Sequence, residues 1–154
     1  MRRLLLCMVV VCVFAAPVMA GEALTKEQIV DRSADICREM LEAATPHLER
    51  AQEAADQNKL QRFIRESRRA IDAVRRVDPD LRSLVPPTGA WKYRRFVRNG
   101  RRALDLLDEA LDALEQGRRE LATRRREAAL EHLDRAKHAA RRYGLNRPCI
   151  KLVS

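Results

Sequence analysis

Six of the twelve residues from Trp91 to Arg102 are basic and none is acidic: Lys92, Arg94, Arg95, Arg98, Arg101 and Arg102. Guanidinium groups hold phosphate and carboxylate oxygens two at a time. The segment is therefore the candidate anion-binding site, suited to an anionic polymer. Helical spacing puts Arg94, Arg98, Arg101 and Arg102 on one face and Tyr93, Val97 and Gly100 on another. The competing assignment is a solvated helix face, since arginine outnumbers lysine 26 to 5 over the whole chain and the bias is not local.

A second cluster follows at once. Asp105, Asp108, Glu109 and Asp112 form a carboxylate stripe. Carboxylates on a helix, without loop ligands or histidine, make a poor cage for a hard cation. Salt bridges to Arg124, Arg125 and Arg126 are the expectation. The three histidines are His47, His132 and His138. His138 with Met40 would be the pair for a non-covalent haem, although Asp134 stands one turn before His138 and competes for it. The sequence has no Cys-x-x-Cys-His, no Glu-x-x-His, no His-Glu-x-x-His, no glycine-rich phosphate loop and no Gly-x-Ser-x-Gly. These absences argue against covalent haem, di-iron, zinc-protease, nucleotide and serine-hydrolase chemistry. The expectation is a protein that is not an enzyme, with no catalytic residue, cofactor or metal site.

Cysteine usage depends on where the chain goes. Arg2 and Arg3 precede an apolar run from Leu4 to Ala16, and Val18 and Ala20 stand at the −3 and −1 positions of a cleavage site before polar Gly21-Glu22. Residues 1–20 thus read as a signal peptide, too short to span a bilayer. Cleavage would remove Cys7 and Cys12 and leave Cys37 and Cys149. A single pair in an exported protein reads as one disulfide. The remaining 134 residues, with 29 bases and 22 acids, contain no membrane span and form one domain, 21–154. The expected location is periplasmic or extracellular.

The elements that must position these groups are helical. Charged residues are 34% of the chain, aromatics 4%, with 5 glycines and 6 prolines, which suits long amphipathic helices. Thr25-Lys26-Glu27-Gln28 is a capping box, bracketed by Leu24 and Ile29 as a hydrophobic staple. Apolar positions 37, 41, 44, 48, 51 and 55 continue through Pro46, which favours one helix over two. A turn is expected at Asp56-Gln57-Asn58. A second stripe follows at 60, 64, 67, 71 and 74, ending at Val77 because a residue before proline, here Asp78, disfavours helix. The third helix starts near Trp91, with a stripe at 93, 97, 100, 104, 107, 111 and 114. The fourth carries 129, 133, 136, 140 and 143 and stops at Gly144, with Leu145 folding back. The turn between the third and fourth falls at Gly117 or at Ala122-Thr123. A shift of 66 residues, which lays Val74-Arg75-Arg76-Val77 on Ala140-Arg141-Arg142-Tyr143, favours the second.

These stripes predict an all-α fold: a four-helix up-down bundle of two αα-hairpins with one disulfide. Charge alternates along the chain. Residues 21–60 carry a net −4, 61–102 a net +9, 103–117 five acids and no base, and 118–154 a net +7. Acidic helices then lie beside basic ones.

Two fragments carry resemblances. Ile36-Cys37-Arg38-Glu39, an Ala-rich last helix and the tail Tyr143-Gly144-Leu145-x-x-x-Cys149 resemble small secreted helical proteins of GC-rich bacteria, a likeness that implies no activity. Leu24-Thr25-Lys26-Glu27-Gln28 is similar to the Leu-Thr-x-x-Gln motif of periplasmic stress chaperones, which are basic and all-helical. That family typically carries a second copy of the motif, and this sequence has no second copy. The expectation is a monomeric, non-enzymatic binding or structural module of the cell envelope. The alternatives are a polyanion-binding or chaperone-like periplasmic protein using the basic face, or a haem or metal carrier. The partner is an anionic envelope polymer or a protein.

Overall fold

The computed structural model describes residues 24–84, 86 and 90–153. The expected signal segment and its cleavage site lie outside them. Five helices follow one another: α1 (Lys26–Asp56), α2 (Leu60–Ser83), α3 (Trp91–Glu115), α4 (Arg119–Tyr143) and α5 (Arg147–Leu152).

The capping box opens α1. The Gln28 N–H donates to Thr25 Oγ1 at 3.2 Å, and the Thr25 N–H donates back to Gln28 Oε1 at 2.9 Å. Ile29 is fully buried behind it. The helix passes Pro46 as one element. Proline there has no N–H to donate, and the preceding Thr45 hydroxyl bonds the Leu41 carbonyl at 2.6 Å.

Two αα-hairpins, α1 with α2 and α3 with α4, pack along their length, and the expected all-α bundle is the observed fold. Small residues let the helices of each hairpin approach: Ala44, Ala51, Ala54, Ala70 and Ala73 in the first, and Ala103, Ala110, Ala113, Ala122, Ala129 and Ala136 in the second, all buried. Large side chains fill the seam between hairpins. Ile64 and Ile71 of α2 meet Leu111 of α3, flanked by Phe63, Leu104, Leu107 and Leu114. The main core sits at the other end and draws on all five helices, including Ile29, Met40, Val77, Leu81, Tyr93, Phe96, Ala140 and Tyr143. No Cα of α1 lies within 8 Å of one of α4. α5 lies against α1 and touches α4, held by the Cys37–Cys149 disulfide with Cα atoms 5.0 Å apart.

Several expectations need correction. The second helix does not end at Val77 but continues to Ser83 with Pro79 inside it. Burial of Leu81 and Leu84 and an Arg82–Asp78 ion pair at 2.8 Å hold the extra turn against the proline penalty. After Gly144 the chain forms one further short helix, with Pro148 in the first turn of α5, where a missing N–H costs nothing. Gly144 does stop α4, with φ 95°, and the Leu145 N–H donates to the Ala140 carbonyl at 3.0 Å. Leu48 and Ala55 are exposed, and the buried ridge of α1 runs instead through Met40, Ala44, Ala51 and Ala54.

The turn between α3 and α4 is at Gly117, not Ala122-Thr123. Its bonds repeat those of the first turn. Lys59 N–H donates to Ala54 O and Arg118 N–H to Ala113 O, both at 2.8 Å, and Asn58 and Gly117 both take positive φ. The two hairpins therefore superpose in sequence with a shift of 59 residues, Lys59 onto Arg118. The shift of 66 is one heptad too long. Heptad-patterned helices match almost as well one heptad out of register, so the apolar pattern alone does not separate the two shifts.

Candidate functional site

The basic segment is the first three turns of α3. Arg94, Arg98 and Arg101 lie at helical spacings of four and three, a row about 10 Å long at 1.5 Å per residue. They line an open groove of about 610 Å³ together with Arg102 and Arg82. Its apolar floor is Leu84, Pro86, Tyr93 and Val97, and Asp105 stands at one end. Arg82 reaches the groove only because α2 extends beyond Pro79, so reading the helix as ending at Val77 left it unplaced.

Lys92 and Arg95 project elsewhere. They border a smaller groove of about 250 Å³ between α3 and α4, with Trp91, Arg135, His138 and Arg142. The six basic residues singled out in the sequence thus divide between two surfaces. Lys92 stands over the exposed Trp91 ring, 5.9 Å from its centroid.

Charge pairing separates these arginines from Arg68 and Arg75 of α2. Arg75 Nη1 donates to Asp108 Oδ2 at 2.8 Å and its Nη2 to Asp105 Oδ1 at 3.2 Å. Arg68 bonds Glu115 at 2.8 Å and also Asp112. Hydrogen bonds to Glu115 and then Asp112 push the Arg68 guanidinium above its ordinary value, and Asp108 does the same to Arg75. The carboxylate stripe is consumed here, which corrects the expected pairing with Arg124, Arg125 and Arg126. Of those three only Arg125 takes part, with Glu109 at 3.0 Å. The reason is the rotation of α3: Asp105, Asp108 and Asp112 lie on the side facing α2, while Glu109 leans toward α4. Arg82 and Arg102 also have acids, Asp78 at 2.8 Å and Glu109 at 3.5 Å. Arg94, Arg98 and Arg101 reach no carboxylate among the described residues.

The sequence reading missed a buried charge cluster. Glu66 is 3% exposed on α2. Its carboxylate meets His47 Nδ1 at 3.2 Å, Arg50 Nε at 3.1 Å and Arg69 Nη1 at 2.9 Å. Hydrogen bonds from His47 and Arg50 bring its pKa down to about 2. The signal was there: Glu66 is in register with the buried Ala70, Ala73 and Val77. Asn99 is the counterpart on α3, in register with Phe96 and Ala103. Its amide donates to the Arg95 carbonyl at 2.7 Å and its oxygen lies 2.9 Å from His132 Nδ1. The amide oxygen can only accept, so His132 donates here from Nδ1. Burial lowers the His132 pKa, which favours this neutral ring. Both clusters satisfy buried polar groups internally.

Met40 and His138 do not form a pair. Met40 is 1% exposed in the core, and His138 is exposed on α4 beside Asp134, whose carbonyl is 3.2 Å from Nδ1. No cluster of three or more His, Cys, Asp or Glu with metal-binding geometry occurs among the described residues.

No family model, curated protein or solved structure matches the chain. The site is therefore read from its own geometry. Among the described residues no helix is long and apolar enough to cross a membrane.

Proposed function

We propose that this chain is an exported, monomeric, non-enzymatic binding module of the cell envelope whose ligand is anionic. One observation carries the reading: Arg94, Arg98 and Arg101 share an open groove and have no carboxylate partner among the described residues, while Arg68 and Arg75 of α2 are each tied to two acids. A guanidinium already paired must surrender its partner to bind a ligand, and these three need not. The disulfide agrees with an oxidising compartment.

The test is salt-dependent retention on a heparin column. Replacing Arg94, Arg98 and Arg101 with glutamine should leave the helical circular dichroism unchanged, lower the eluting salt concentration and flatten the salt dependence, because fewer counterions are displaced. Elution of the triple variant at the wild-type salt concentration would end the reading. Export is tested separately: intact mass of the protein recovered outside the cytoplasm should correspond to cleavage after Ala20.

A further inference from the structure

We propose that the groove along α3 is a site for a single-chain amphiphile with a phosphate monoester head, the head held by Arg94, Arg98 and Arg101 and the start of the tail laid on Val97 and Pro86. The proposal rests on the anion-binding reading above and names its ligand class. Two features of the groove argue for it.

The first is the floor. Val97 and Pro86 are half-buried and present the accessible apolar surface, with Leu84 and Tyr93 buried beneath them. A sulfated or phosphorylated sugar polymer would set hydroxyl groups against this apolar surface without hydrogen-bond partners, which is unfavourable. A hydrocarbon segment covers it at no such cost. The volume of about 610 Å³ lies within the range of small-ligand pockets.

The second is charge density. Five arginines border the groove against one acid, Asp105, which is already bonded to Arg75. A dianionic head engages two or three guanidinium groups through three terminal oxygens, whereas a carboxylate offers two oxygens and one charge. The row spans about 10 Å, which fits one head group with room for exchange between neighbouring arginines.

The experiment is isothermal titration of the oxidised protein with decyl phosphate below its critical micelle concentration, alongside inorganic phosphate and heparin. Wild type should bind one decyl phosphate per chain at least about tenfold more tightly than inorganic phosphate. Val97→Thr keeps the volume of the floor and adds a hydroxyl. It should weaken decyl phosphate several-fold and leave heparin unaffected. The double variant Arg98→Gln with Arg101→Gln should weaken both ligands by about tenfold or more. Circular dichroism confirms that each variant is folded. If heparin binds through the arginines but decyl phosphate binds no better than inorganic phosphate, the amphiphile is wrong and the anion-binding reading survives. Loss of neither ligand in the double variant overturns both. Co-sedimentation with phosphatidic acid vesicles, without binding of free decyl phosphate, would make the occupant a membrane surface and overturn the proposal.

Discussion

Tyr93 donates its hydroxyl hydrogen to the Leu81 carbonyl at 2.7 Å. Leu81 lies in the last turn of α2, where carbonyls lack helical partners, and Tyr93 lies in the first turn of α3. One side chain therefore caps α2 and ties the two hairpins together. The same oxygen accepts from the Ser33 hydroxyl of α1 at 3.4 Å, so three helices meet at one buried atom.

Tyr93→Phe removes both bonds and leaves the Leu81 carbonyl and the Ser33 hydroxyl buried without this partner. The expected cost is about 1–3 kcal/mol, read as a lower urea midpoint with an unchanged slope. A midpoint equal to wild type would show that the phenol contributes packing alone.

Alkaline titration offers a second view of this core. Burial pushes the Tyr93 hydroxyl up to about 12 and raises Tyr143 as well. The folded chain holds the proton more tightly than the unfolded one, so this contribution is complete below pH 10 and is lost as pH rises from 10 toward 12. Absorbance at the phenolate band should show no tyrosine ionising with an ordinary midpoint until the protein unfolds.

The Cys37–Cys149 bond closes a loop with a sequence separation of 112 residues. Chain entropy gives an upper figure of about 4.8 kcal/mol for such a loop, a large share of the ~5–15 kcal/mol that holds a domain of this size. Cys37→Ser and Cys149→Ser should lower the thermal midpoint equally and keep most of the helical signal at low temperature. Thiol labelling of the unfolded, unreduced protein should find neither of these cysteines free.

Acid stability should depend on Glu66. Its carboxylate titrates at about 2 in the fold against an ordinary 4.5. The contribution is present above pH 4.5 and is lost as pH falls from there toward 2. Glu66→Gln should lower stability at pH 7 and flatten the acid limb of the stability–pH curve. An unchanged acid limb would mean that other carboxylates control it.

Both turns should favour glycine at their positive-φ position. Gly117 has φ 72° with no atom within 4 Å of an added Cβ, so Gly117→Ala has room but suffers the left-handed backbone penalty, about 1–2 kcal/mol. Asn58, at φ 54°, should tolerate Asn58→Gly with little loss. Urea unfolding of the two variants checks both.

Local signals determined much of this protein. The capping box, Gly144, the helical start at Trp91 and the turn expected at Asp56-Gln57-Asn58, of which Asp56 still belongs to α1, act within one turn of backbone, and each reads directly from neighbouring residue types. The pairing of Cys37 with Cys149 followed from there being two cysteines after the expected leader. The common face of Arg94, Arg98 and Arg101 followed from helical spacing alone. Other features required the tertiary structure. A proline normally stops a helix, yet Leu81 and Leu84 bury deeply enough to carry α2 past Pro79, and that extension brings Arg82 to the groove. Heptad periodicity repeats, so it does not distinguish a shift of 59 from one of 66. The matching of small residues within each hairpin and large ones between them decides the register. Which arginine takes which carboxylate depends on the rotation of α3 against α2, a property of two surfaces in contact that neither segment contains by itself. That rotation pairs Arg68 and Arg75 and leaves Arg94, Arg98 and Arg101 without acids among the described residues.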